Sequence, residues 1–190
     1  MKILVIVLAG TCLTVSACNR SDNADAANDT VTIENDIAAN DALAVPAALP
    51  TTAPEFVNAA AASDKFEIES SNLAAASGSS ASVKSFAKQM ISGHTASTAK
   101  LKAAIAGMTP ALTPDDTLNA EQQALLDGLK GKTGAELDTA YAAAQVTAHQ
   151  KTLDALNAYA NDGDNPGLVE FAKGMIPTVT AHLNLAKGLK

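Results

Sequence analysis

The sequence predicts an all-α fold: a four-helix bundle with a short extra helix in its central crossover. Three observations lead there. From Pro54 onward apolar residues recur every three or four positions, with none of the two-residue alternation of a strand. Clusters of Gly, Pro, Ser and Asp cut this stretch into segments of helical length. Two of the segments echo one another: Phe86-Ala87-Lys88-Gln89-Met90-Ile91 and Phe171-Ala172-Lys173-Gly174-Met175-Ile176 share Phe-Ala-Lys-x-Met-Ile. Equivalent helices in two hairpins account for that echo.

Taken in order, the first helix is expected from about Pro54 to Ser77, opened by Thr52 and Glu55 at capping-box spacing. Ser77-Gly78-Ser79-Ser80 ends it. The second helix runs from about Ala81 to Gly107, with Val83, Phe86, Ala87, Met90, Ile91, His94, Leu101 and Ile105 facing inward. Pro110 and Pro114 break the chain, and a shorter helix follows over about Leu118 to Lys130. Thr133 and Glu136 form a second box opening the third long helix, which reaches about Asn161. After the turn Asp162-Gly163-Asp164-Asn165-Pro166-Gly167, the fourth runs from about Leu168 to Leu189, with Pro177 as an expected kink. An up-down-up-down course places the first and last hairpin turns at the same end of the bundle.

Ahead of this domain, residues 1–17 read as a signal peptide: Lys2, the apolar run Ile3 to Gly10, and the small residues Val15-Ser16-Ala17 before Cys18. The apolar run falls short of the roughly 20 residues that a spanning helix needs. Val-Ser-Ala-Cys matches a lipobox, so Cys18 is the expected lipidation site and the mature N-terminus. Asn19 behind it favours the outer membrane over the inner. Residues 18–53, with Asp22, Asp25, Asp29, Glu34, Asp36 and Asp41 followed by Pro46 and Pro50, carry too little apolar surface to order and read as a tether. Cys12 leaves with the signal peptide, so the domain over residues 54–190 holds no thiol for a disulfide, a metal or a nucleophile. A formal charge of -7, two tyrosines and no tryptophan speak against nucleic acid as a partner. The expected partner is the membrane, through the lipid on Cys18.

The chain's three histidines, His94, His149 and His182, fall one to a helix, each on the inward stripe. On the first helix the stripe Phe56, Ala60, Ser63, Ser70 and Ala74 carries one ionisable residue, Glu67, while Glu69 projects outward. Heights counted from the turns place all four residues within about 9 Å along the bundle. Two readings follow. One is a buried polar layer in which these residues bond to one another, to Tyr141 and to Thr152, with no cofactor; it takes precedence because buried polar groups are mostly satisfied structural ones. The other is a transition-metal site of three imidazoles and a carboxylate, suited to zinc, iron, copper or nickel, with Tyr141 beside it. A di-iron carboxylate centre is disfavoured, because Ile91, Val146 and Val179 stand where Glu-x-x-His motifs need glutamate.

Phe66-Glu67-Ile68-Glu69 with Leu73-Ala74, Phe86-Ala87-Lys88-Gln89-Met90 with His94, Leu137-Asp138-x-x-Tyr141 with His149-Gln150, and Pro177 with His182-Leu183 resemble the bacterial domain of unknown function 4142 over about Pro54 to Leu189. The resemblance implies a ferritin-like bundle, export or lipid anchoring in a Gram-negative envelope, and recurring polar positions at Glu67, His94, His149 and His182. The functional expectation is an envelope lipoprotein with a structural, binding or stress-related role and no catalysis of its own. Its rival is a metal buffer or oxidoreductase using the four inward residues.

Overall fold

The computed structural model describes residues 48–189; the expected signal peptide, Cys18 and nearly all of the tether lie outside the described residues. Five helices follow one another: α1 (Ala53–Ser77), α2 (Ala81–Ile105), α3 (Ala120–Leu129), α4 (Gly134–Asp162) and α5 (Pro166–Lys187). No strand occurs among the described residues, so the all-α expectation holds.

Local chemistry explains most of the starts. Pro54 occupies the first turn of α1, and the Glu55 carboxylate accepts the Thr52 N–H at 3.2 Å. Asn119 and Gln122 cap α3 reciprocally, at 2.9 and 3.0 Å. Asn165 accepts the Leu168 N–H at 3.1 Å and Pro166 supplies a preset φ, so α5 begins two residues earlier than expected. The capping box expected at α4 does not form. Thr133 makes no side-chain cap bond, and the Glu136 carboxylate is taken by the Lys132 ammonium instead of the Thr133 N–H. Helix α5 continues through Pro177. Ile91 lies only half-buried at the edge of the inward stripe of α2, and Ser97 joins that stripe.

The course of the chain corrects the up-down-up-down expectation. The first residues of α4 meet the α1–α2 turn: Gly78 pairs with Gly134, and the Asp138 carboxylate accepts the N–H groups of Ser79 and Ser80 at 3.1 and 2.8 Å. At the other end, Phe56 of α1 stacks on Tyr159 of α4 at 4.0 Å and meets Phe171 of α5 edge-on at 6.1 Å. The two hairpin turns therefore lie at opposite ends. Helix α4 runs antiparallel to α1, and α5 antiparallel to α2, with α3 inside one long crossover. That is the single-crossover arrangement of ferritin-like bundles.

Asp138 ties the hairpins together in this sense, since it caps the N-terminus of α2 from a different hairpin. Gly78 makes room for it: a Cβ there would lie 2.6 Å from Asp138 Oδ1. The core then falls into two apolar halves. One gathers Val83, Phe86, Met90, Leu137 and Tyr141 near the α1–α2 turn; the other gathers Phe56, Leu101, Leu156, Tyr159 and Leu168 near the α4–α5 turn. Between them, at mid-height, lie the polar residues.

Asp138→Ala is expected to destabilise the bundle by about 2 kcal/mol, since it strips a charged cap from α2. The Ser79 hydroxyl and the Ser80 and Ser79 N–H groups hold the Asp138 pKa below the usual carboxylate value. Its contribution is thus present above the unfolded carboxylate pKa and lost as pH falls through the lower folded value. Urea unfolding of parent and variant at pH 7 and pH 3 measures both effects; the gap between them should narrow at pH 3.

Candidate metal centre

His94 stands one turn after Met90 on α2, His149 one turn after Gln145 on α4, and His182 one turn before Ala186 on α5; each continues a buried stripe. Their exposures are 4, 1 and 7%. The structure brings the three rings into one cluster, with centroids 5.7 Å apart for His94–His149, 5.7 Å for His94–His182 and 5.6 Å for His149–His182. One nitrogen from each lies within 4.8 Å of the other two. Ligand nitrogens around a shared ion, with metal–nitrogen bonds of about 2.0–2.1 Å, stand roughly 3.3 Å apart, so modest side-chain rotations close the set. The residues converge despite the corrected topology because Glu67, His94 and His149 sit near the middle of their helices, and His182, five residues before the end of the shorter α5, reaches a similar height.

Two of the rings are held by their outer nitrogens. The Asp64 carboxylate accepts from His94 Nδ1 at 2.8 Å, and its second oxygen accepts the Thr98 hydroxyl at 2.9 Å. The Gln145 carbonyl accepts from His149 Nδ1 at 2.9 Å; a carbonyl only accepts, so the proton sits on Nδ1 and Nε2 keeps its lone pair. An imidazole anchored at one nitrogen and free at the other is the arrangement in which proteins present histidine to metals.

The inner atoms have no partners. His94 Nε2, His149 Nε2, His182 Nδ1, both oxygens of Glu67 and Gln145 Oε1 are buried without a hydrogen bond. Buried polar atoms are nearly always bonded. Six such atoms in one layer, all able to offer a lone pair apart from proton placement on the rings, form a donor set that fits an electron-pair acceptor.

The expected polar layer takes another form. Tyr141 bonds Ser71 at 2.7 Å and Thr152 bonds Ser63 at 2.8 Å, so neither reaches a histidine. Glu67 stands beside the three-histidine group rather than within it, with Oε1 3.5 Å from His149 Nδ1. Asp64 was not among the expected site residues, although it is 5% exposed and directly bonded to His94. Its spacing of three before Glu67 was the available signal.

A family model described as "Domain of unknown function (DUF4142)" matches residues 38–189. The chain belongs to the DUF4142 family. The match begins ahead of Pro54, where the sequence resemblance was placed. A solved structure titled "CopM in the Cu(II)-bound form" has a TM-score of 0.61 and 13% identity to this DUF4142 chain, covering 72% of it and 94% of the other. At that identity the likeness is one of fold. No curated protein matches the chain.

Electrostatically, the centre of this DUF4142 bundle favours uncharged imidazoles at two positions. Burial, with the nearby His94, lowers the His149 pKa to about 3 and that of His182 to about 4. For His94, burial also opposes the charged form, but the Asp64 hydrogen bond and the charges of Glu67 and Asp64 outweigh it and raise the pKa. Burial drives Glu67 up to about 7, against the pull of His94 and the Gln145 amide. Because this folded value exceeds the unfolded one, the metal-free protein loses stability as pH rises from about 4.5 to about 7. Glu67→Gln should remove that loss. The variant is expected to be more stable than the parent at pH 8, by on the order of 3 kcal/mol, and indistinguishable from it at pH 4. Chemical unfolding of both metal-free proteins across that range checks the sign.

Proposed function

We propose that this chain is a lipid-anchored envelope protein that sequesters a divalent transition-metal ion, copper(II) foremost, in the middle of its helical bundle. The observation that carries this is the convergence of three buried, unpartnered imidazole nitrogens, one from each of α2, α4 and α5. His149 and His182 are uncharged at neutral pH, so no proton competes for their lone pairs. The donors are nitrogen and oxygen only, a set that suits copper(II) or zinc(II), and copper stands highest in the usual order of divalent affinities. A shared fold with a protein whose structure is titled as Cu(II)-bound supports testing copper first. Two nearby carboxylates, Glu67 and Asp64, offset a double positive charge in an apolar core.

An ion held there would act as a Lewis acid toward the three nitrogens, with Glu67 poised beside them as an oxygen donor. The histidines' near-complete burial favours holding an ion over working on a solvent-borne substrate. Binding and buffering, rather than turnover, is thus the role assigned. The signal peptide, the lipid on Cys18, the tether over residues 18–53 and the outer-membrane address complete the proposal and rest on the N-terminal sequence. No helix among the described residues is long and apolar enough to cross a membrane.

The test uses the mature chain with Cys18→Ser, so that no thiol competes. Elemental analysis after reconstitution with copper(II) or zinc(II) is expected to find about one ion per chain. At 100 times the dissociation constant the ion should stabilise folding by about 2.7 kcal/mol, raising Tm by roughly 5–10 °C. A folded His94→Ala, His149→Ala double variant should retain no ion. Absence of binding in the parent would leave a structural polar layer. In the cell, Cys18→Ala should move the protein from the membrane to the soluble fraction.

A further inference from the structure

Gly93 stands in the middle of α2, where glycine costs a helix roughly 1 kcal/mol relative to alanine. Neither a turn nor a positive φ requires it there. The reason lies across the bundle on α5: a Cβ on Gly93 would lie 3.2 Å from Cε1 and 3.7 Å from Nε2 of His182. Gly174 on α5, by contrast, has nothing within 4 Å of that position. The ring of His182 thus rests its Cε1–Nε2 edge on the bare backbone of α2.

That edge-on seat sets His182 apart from the other two histidines. His94 and His149 are oriented by hydrogen bonds at Nδ1 and leave Nε2 as the buried orphan. In His182 the buried orphan is Nδ1, while the edge carrying Nε2 faces Gly93. Among the described residues no hydrogen bond orients its ring, so packing against Gly93 takes that part.

We propose that His182 binds the ion through Nδ1 while His94 and His149 bind it through Nε2, with Gly93 as the positioning residue that admits the outer edge of the His182 ring. The inference rests on the metal-binding reading above and adds which nitrogens ligate and what seats the third one. It gives Gly93→Ala two effects of opposite sign. Alanine favours the helix, so the metal-free protein should melt at the same or a higher temperature. The new methyl group displaces His182 by a few tenths of an ångström, so affinity for the ion should fall.

The experiment compares the mature Cys18→Ser chain with the same chain carrying Gly93→Ala. Metal-free melting, competition titration with zinc(II) and copper(II), and the copper(II) electron paramagnetic resonance spectrum are measured for both. The expected result is an undiminished metal-free Tm, unchanged stoichiometry, an affinity lower by about 10- to 100-fold and an altered copper spectrum. Nitrogen-15 spectra of the zinc-loaded parent should show coordination at Nδ1 for His182 and at Nε2 for His94 and His149. Coordination of His182 through Nε2 would overturn the inference, as would a Gly93→Ala protein with the parent's affinity and spectrum, and in both cases metal binding itself would stand. A parent that takes up no ion would remove the metal reading and this inference together. Should Gly93→Ala fail to fold, the nitrogen assignments in the parent decide.

Discussion

Burying ionisable groups in an apolar interior is the constraint around which this bundle is arranged. A carboxylate or imidazole taken from water without partners costs several kcal/mol unless it is neutralised or bound. Here two carboxylates, Asp64 and Glu67, and three imidazoles share a single layer across α1, α2, α4 and α5. The apolar halves on either side must offset that cost. At one end Phe56, Tyr159 and Phe171 form an aromatic cluster joining three helices; at the other, Phe86 packs edge-on against Tyr141 at 6.2 Å. With only four phenylalanines and two tyrosines in the chain, the aromatic packing is concentrated at these two places, where alanine-rich helices most need area.

The layer also divides labour among the helices. Helix α1 contributes acceptors, Asp64 and Glu67, and three serines that tie it to α4 or to its own backbone: Ser63 to Thr152, Ser71 to Tyr141, and Ser70 to the Glu67 carbonyl. The other three long helices contribute one imidazole each. Because α1 and α2 belong to one hairpin, the Asp64–His94 pair is made within it; His149 is oriented by its own helix through the Gln145 carbonyl. The third imidazole is seated only by the approach of α5 to α2. The centre is therefore assembled when the two hairpins dock, and its precision depends on that docking more than on any single helix.

Much of this was legible in the sequence. The helical period, the Gly- and Pro-bearing turns and the position of one polar residue on each inward stripe follow from 3.6-residue spacing alone, and they placed Glu67, His94, His149 and His182 in the core. Asp64 was less visible because its face is set about 60° from that of Glu67, at the margin of the stripe, and only the neighbouring α2 makes it interior. Thr133 and Glu136 have the spacing of a cap, yet Lys132, one residue before Thr133, competes successfully for the glutamate. Local motifs state what a residue can bond; they do not rank the competitors.

The sequence by itself determined the class of fold, the number of helices and which residues of ligand type turn inward. All of these depend on contacts between residues a few positions apart, or on composition. Tertiary structure alone decided the sense of the second hairpin, which brings Asp138 to the start of α2 and Tyr159 onto Phe56. It also decided that Tyr141 and Thr152 bond serines on α1 rather than histidines, and which imidazole nitrogens remain unpartnered. Those outcomes depend on pairs separated by tens of residues, whose relative height and rotation are set only when packed side chains from four helices exclude the alternatives.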